Sequence, residues 1–184
     1  QIIYLIEGKT WEEYLQEKIL NPLQMKHTVF SIDAMQKHMD YFVGYNEKRD
    51  TNILLEAEYM NETDGLGPAG SIVSNISDLS HWLSALMNKA MYDGKQVIPE
   101  ATINATLSPS IALNNGLLEQ GYTEMLNPVY GMGRQSCVYR GHQLVLHGGD
   151  LRGIHSQISY MPQDNIGVIV FVIGDHSLRY NSIT

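Results

Sequence analysis

The chain reads as α+β, with helical signals first and an antiparallel run of strands last. Two stretches carry this reading. Near the C-terminal end, Leu144-Val145-Leu146 is a short apolar run that predicts a buried strand, and it leads into His147-Gly148-Gly149-Asp150 and then Gly153. Ser156-Gln157-Ile158-Ser159-Tyr160 alternates polar and apolar residues like a half-buried strand. Pro162-Gln163-Asp164-Asn165 is a turn cluster, and Ile166 to Ile173 is almost wholly apolar and β-branched. That gives three successive strands, the last two a hairpin, with the glycine pair expected at the end of the first. The second stretch lies earlier, where Ile76, Leu79, Leu83, Leu86 and Met87 recur at helical spacing.

Taken in order, Ile2 to Ile6 read as the end of a helix that Gly8 terminates in the manner of a C-cap glycine. Thr10 and Glu13 form a capping box for a helix expected over Trp11 to Leu20, stopped by Pro22. Asn21-Pro22-Leu23-Gln24-Met25 is a turn with apolar anchors, and Thr28-Val29-Phe30 a short extended piece. Ser31 is expected to cap a helix through Met39, and Tyr41 to Tyr45 to form a strand. Gly65 to Gly70 reads as a tight glycine-rich loop, after which Ser74 or Ser77 caps the helix at Ile76, with Asp78 in its first turn complementing the helix dipole. Asp93-Gly94 signals a turn, and Pro99 fits the first position of another short helix. Residues 108 to 128 read as a long surface loop before Tyr130-Gly131-Met132-Gly133 opens the strand region, which continues through Cys137-Val138-Tyr139. No internal repeat or low-complexity segment interrupts this order.

Composition narrows the function classes. The 184 residues suffice for one domain with a real core. Twelve basic against twenty acidic residues give 12 − 20 = −8, which argues against nucleic acid or an anionic membrane surface as the main partner. No apolar run approaches the ~20 residues that a membrane span requires. Cys137 stands alone, so no disulfide forms within the chain. The sequons at Asn61, Asn75 and Asn104 permit glycosylation in a secretory compartment, but no feature of the sequence assigns a localisation.

The candidate chemistry centres on His147-Gly148-Gly149-Asp150. Two glycines strip side chains from the backbone there, so its N–H groups can approach an oxyanion; the same residues also describe a strand that simply ends in a turn. The sequence holds no Gly-x-Ser-x-Gly elbow and no His-Glu-x-x-His pair. Its seven histidines show no metal-ligand spacing, so neither a metal nor another cofactor is expected.

Several landmarks then fall in one order. They are Gly8-Lys9-Thr10-Trp11-Glu12-Glu13-Tyr14, Asn21-Pro22-Leu23-Gln24-Met25 with Thr28, and Pro68-Ala69-Gly70-Ser71 with Ser74 and Asp78. Tyr130-Gly131-Met132-Gly133, His147-Gly148-Gly149 and Gly153 complete the set. The pattern resembles the serine β-lactamase-like family, which includes class C β-lactamases, penicillin-binding proteins, D-aminopeptidases, related esterases and fungal acyltransferases. It covers nearly the whole chain, with one departure at Gln24, where the family commonly has glycine.

That resemblance implies a catalytic centre of three motifs: Ser-x-x-Lys with the nucleophile and its activating lysine, Tyr-x-Asn, and Lys/His-x-Gly on a neighbouring strand. Only the third is present. None of the seven lysines has a serine three residues before it, and Tyr59-Met60-Asn61 matches Tyr-x-Asn far downstream of the expected place, as a coincidence. Residues 1–184 are therefore expected to be the C-terminal part of a single catalytic domain cut at both ends, with both other motifs upstream of Gln1.

By the same resemblance, His147 takes the Lys/His position, as in peptidase, esterase and acyltransferase branches more than in classical β-lactamases. The backbone of Asp150 supplies one oxyanion donor, provided that its carboxylate points away. Gly148 and Gly149 leave room for substrate, and Pro68, Ala69 and Gly70 line the cleft. The implied function is ester or amide hydrolysis, or acyl transfer, on a small-molecule substrate through an acyl-serine. The partner is the remaining N-terminal part of the same domain. The competing reading is a non-catalytic binding or scaffold protein that keeps the fold; a Ser-x-x-Lys upstream separates the two.

Overall fold

The computed structural model describes residues 1–48, 51, 53–59, 67–114, 121 and 123–174. The chain divides into two compact units: Gln1–His81 with Gly149–Ser156 and Val170–Thr184, and Trp82–Gly148 with Gln157–Ile169.

The first unit begins with α1 (Ile2–Glu7), closed by Gly8 in the left-handed conformation. α2 (Trp11–Leu15) starts with the expected capping box, Thr10 accepting from the Glu13 N–H and Glu13 accepting from the Thr10 N–H. The helix does not run regularly to Leu20. Residues Gln16–Leu20 widen into a π turn, in which Asn21 N–H reaches back five residues to the Gln16 carbonyl at 2.9 Å. Leu20, Leu23 and Met25 are buried as this segment leads into the turn after Pro22. Gln24 sits at φ 58, a left-handed backbone that glycine adopts more readily than glutamine.

α3 (Ile32–Met35) is capped by Ser31 as expected but stops four residues before Met39. Met35 is buried whereas Met39 is fully exposed, so there is no apolar face for a longer helix to bury. The strand expected over Tyr41 to Tyr45 begins only at Tyr45. β1 (Tyr45–Glu47) pairs antiparallel with β2 (Leu54–Glu56). Gly44, just before it, lies against the carbonyls of Arg152 and Gly153, where a Cβ would come within 3.1–3.2 Å.

Gly67–Gly70 is not loop but one α-helical turn, α4, while Gly65 lies outside the described residues, as do Met60 and Asn61. Ser71 clamps the turn by donating from both N–H and Oγ to the Gly67 carbonyl, each at 3.0 Å. α5 (Ile76–Met87) is capped by Asn75, whose Oδ1 accepts from the Asp78 N–H at 2.8 Å, and not by Ser74 or Ser77. Ser74 is engaged elsewhere. Thr28 Oγ1 gives its single proton to the buried Asp78 carboxylate at 2.8 Å, so Ser74 Oγ donates to Thr28. Asp78 also accepts from the His27 N–H at 2.8 Å, and Val29 bridges Val73 nearby.

In the second unit, α5 continues through Leu83 and Leu86. β3 (Met91–Tyr92) and β4 (Lys95–Gln96) form a hairpin about Asp93 and Gly94, both at positive φ. Pro99 is the N-cap of α6 (Glu100–Leu107), one residue outside the helix proper. The span 108–128 is not all loop: β5 (Ile111–Ala112) and the start of β6 (Met125–Tyr130) lie in it. Met125 is buried, which draws that strand into the sheet. β7 (Gln135–Tyr139), β8 (His142–Leu151), β9 (Ile154–Met161) and β10 (Ile166–Ile173) complete a six-stranded sheet of order β10-β9-β8-β7-β6-β5.

One face packs Val145 and Tyr160 against Leu83, Leu86, Ala90 and Ile103; the other gathers Leu144, Leu146, Met125 and Cys137. Each such aliphatic side chain contributes about 1.5–3 kcal/mol by leaving water. Gly167 lets β10 approach α5, since a Cβ there would lie 2.8 Å from Leu83 and Met87. The glycine pair does not end β8: Gly148 and Gly149 lie inside it, and the turn comes at Arg152 and Gly153. The α+β class holds, with helices preceding an antiparallel sheet.

The Asp78 tie generates a test. Replacing Asp78 by Ala leaves two donors unsatisfied in a buried place and is expected to cost about 2–4 kcal/mol, with Asp78→Asn costing less. The urea midpoint of each variant measures this. A midpoint for Asp78→Ala equal to wild type would show that the tie contributes nothing.

Candidate active site

β8 enters the site with three buried residues, Leu144, Val145 and Leu146, and then exposes His147. His147 Nδ1 lies 2.8 Å from the Gly148 carbonyl oxygen. A carbonyl only accepts, so Nδ1 carries the proton. That leaves Nε2 facing the Tyr130 hydroxyl at 2.9 Å, with ring centroids 5.8 Å apart. In the neutral ring Nε2 accepts from the phenol O–H; protonation would turn it into the donor. The imidazole is thus held at both nitrogens, in one tautomer.

Tyr130 reaches His147 through strand register. Tyr130 pairs with Gln135 on β7, and Gln135 pairs with Leu146 on β8. The turn after Tyr130 is fixed by contact: a Cβ on Gly131 would fall 2.5 Å from the Thr106 carbonyl oxygen and 2.8 Å from that of Ser108. Arg134 closes this turn and donates to the Tyr160 hydroxyl at 2.8 Å. Burial raises the Tyr160 pKa, and Arg134 opposes that rise, so the phenol stays protonated at neutral pH. His147, Arg134, Tyr160, Trp82, Leu86 and Ile158 line one pocket of the second unit.

The remaining motif residues belong to the first unit. A Cβ on Gly149 would lie 2.5 Å from Ser156 Oγ, so the bare backbone here is set by a side chain as well as by any ligand. The Asp150 carboxylate is paired with His155 Nδ1 across the turn. Gly153 makes that turn at φ 67, with Tyr45 backbone atoms where a Cβ would stand. Pro68, Ala69 and Gly70 form the exposed residues of α4. His147, Gly148, Gly149 and Asp150 thus follow one another along β8, and the three α4 residues sit on a separate element.

Among the described residues, no group of three or more His, Cys, Asp or Glu could hold a metal ion. Cys137 is buried, and burial pushes its thiol up to about 11, so it is not a thiolate nucleophile at neutral pH. No described helix is long and apolar enough to cross a membrane. Tyr130, Arg134 and His155 were not legible as partners of the motif, because cross-strand register is not written in local spacing.

The Gly149 contact gives a second test. Gly149→Ala is expected to cost up to about 1 kcal/mol by forcing the Ser156 hydroxyl into another rotamer, and adding Ser156→Ala should recover most of it. Thermal midpoints of the two single variants and the double variant measure the coupling. Strict additivity would remove Ser156 as the reason for glycine.

The Beta-lactamase family model matches residues 1–183. A curated relative, unguisins hydrolase ungD of Aspergillus violaceofuscus, is 27% identical, with 97% of this chain and 33% of the relative covered. The octameric penicillin-binding protein homologue from Pyrococcus abyssi superposes with a TM-score of 0.78 at 25% identity, over 94% of this chain and 35% of that one. The D-amino acid amidase from Ochrobactrum anthropi SV3, at 20% identity, shares the fold with a TM-score of 0.68, over 94% of this chain and 46% of that one. The chain spans about a third of the length of the curated relatives it matches. With the fold, the ordered motifs and the family match in agreement, the chain belongs to the Beta-lactamase family.

Proposed function

We propose that residues 1–184 are the C-terminal part of a serine hydrolase or acyltransferase domain that turns over a small ester or amide through an acyl-serine. The carrying observation is β8 itself: an exposed, doubly held His147 followed by two residues without side chains and the N–H of Asp150. The nucleophile comes from a Ser-x-x-Lys upstream of Gln1, and a Tyr-x-Asn motif upstream completes the centre. Membership of the family and the hydrolase name of the curated relative support this reading.

In that reaction the serine oxygen bonds to the substrate carbonyl carbon, and the carbonyl oxygen takes up the negative charge. The Asp150 N–H, together with the serine's own, stabilises this oxyanion; a donor of this kind is worth about 10²–10³ in rate. Collapse of the intermediate breaks the bond to the alcohol or amine, which leaves with a proton. Water or a second acceptor then takes the acyl group. Gly148 and Gly149 keep the strand bare so the scissile group can lie against it, and Pro68, Ala69 and Gly70 line the cleft. His147 polarises the substrate or assists proton transfer by way of the Tyr130 hydroxyl bonded to its Nε2, or with Nε2 itself once substrate displaces that hydroxyl. An imidazole in place of lysine favours neutral esters and amides over the carboxylate-bearing substrates of classical β-lactamases.

The test uses the whole protein. His147→Ala is expected to lower kcat/KM by roughly 10²–10⁴, the usual range for a positioned acid or base, without a matching loss of thermal midpoint. His147→Lys should shift preference from a neutral ester towards a carboxylate-bearing amide. Unchanged kinetics with a lower midpoint in His147→Ala would make the residue structural. Failure of a fluorophosphonate probe to label any serine of the whole protein would favour a non-catalytic scaffold instead.

A further inference from the structure

A carboxylate beside an oxyanion donor is a chemical problem, because a negative charge near the developing oxyanion raises the barrier that the donor lowers. Asp150 sets this problem. Its backbone N–H is the proposed donor, and its side chain is 57% exposed. The structure answers with His155, whose Nδ1 is paired with Asp150 Oδ1 across the turn between β8 and β9. A carboxylate oxygen accepts, so Nδ1 bears the proton, and the ring donates to Asp150.

His155 is itself placed firmly. Its side chain is only 12% exposed. Its other nitrogen, Nε2, is buried and has no hydrogen-bond partner among the described residues. A buried unsatisfied nitrogen costs stability, so a fold that needed only a packing residue at position 155 would be better served by an apolar side chain. The neighbouring residues fix both members. Ser156, next to His155, stands where a Gly149 Cβ would be, and Gly153 makes the turn at φ 67. The polar group that His155 does satisfy is the one carboxylate adjoining the proposed oxyanion donor.

From this the geometry points to His155 as a positioning residue: it holds the Asp150 carboxylate away from the oxyanion and so keeps the Asp150 N–H effective as a donor. It does not touch substrate. The inference rests on the acyl-enzyme reading above, since without an oxyanion there is nothing to protect. Release of the carboxylate acts on the transition state and not on ground-state binding, so the effect belongs in kcat.

A cycle of variants in the whole protein decides the matter, using a neutral p-nitrophenyl ester as substrate and fluorophosphonate labelling as a separate readout. His155→Ala is expected to lower kcat about tenfold to a hundredfold with KM nearly unchanged, since it weakens one donor whose complete loss is worth about 10²–10³. Introducing Asp150→Asn into the His155→Ala protein removes the charge that position 155 no longer pairs and should raise kcat several-fold above that of His155→Ala alone. His155→Asn, whose amide can still donate to the carboxylate, should retain more activity than His155→Ala. A merely structural role would not be relieved by removing a neighbouring charge. The inference is overturned by wild-type kcat in His155→Ala. It is equally overturned by a loss that Asp150→Asn does not reverse and that tracks a lower thermal midpoint. If the wild-type whole protein neither labels nor turns over, the acyl-enzyme reading fails, and this inference with it. An active wild type with an unresponsive cycle sinks the inference alone.

Discussion

Strand β8 has to satisfy two opposed demands within a few residues, and the site depends on how it does so. From Leu144 to Leu146 it is buried, with Val145 packed towards α5 and α6 and its two neighbours packed towards Met125 and Cys137. From Gly148 it carries no side chain for two residues while remaining in the ladder. A one-residue slip would turn Val145 towards Met125 and Cys137 and turn Leu144 and Leu146 towards α5 and α6, so both layers would have to repack. The first half therefore anchors the second. His147 stands at the change from buried to bare, and its position is fixed by packing that precedes it in the chain.

The surroundings of the motif are organised to hold that short segment. Tyr130 and the Gly148 carbonyl grip the two imidazole nitrogens of His147, and Gly131 is pressed against the carbonyl oxygens that end α6. In the other unit, Ser156 stands over Gly149, and His155 holds the Asp150 carboxylate. These are side-chain and backbone contacts of ordinary strength. Their effect is to remove conformational choices from the residues of the proposed site. Asp78 does similar work for the entry to α5, where one buried carboxylate ties together His27 and Thr28.

Where sequence reading and structure part, the physical causes are specific. The Thr10–Glu13 capping box, the Gly8 cap and the span of β10 depend on residues close in sequence, and each stands as read. Residue type alone does not place the cap of α5, because Asn75, Ser74 and Ser77 are all good caps. Only the fold assigns Ser74 to Thr28 and leaves Asn75 for the helix. Residues 41–44 have strand-like composition, but Gly44 is held against the Arg152–Gly153 turn, and pairing begins one residue later. The glycine pair read as a strand end because glycine weakens isolated strands, whereas β8 carries it inside a sheet with neighbours on both sides.

By itself the sequence determined the order of helices before an antiparallel sheet, the family, and the candidate motif His147-Gly148-Gly149-Asp150. Those features follow from hydrophobic period, caps, turns and the order of short motifs, all of which are local. The tertiary structure alone decided which groups meet that motif. Tyr130 reaches His147 because two hydrogen-bonded registers in succession carry it across β7. His155 reaches Asp150 because the turn at Gly153 folds β9 back beside β8. Such pairings arise from long-range hydrogen bonding between strands, and strand register is a property of the whole sheet and not of any one segment.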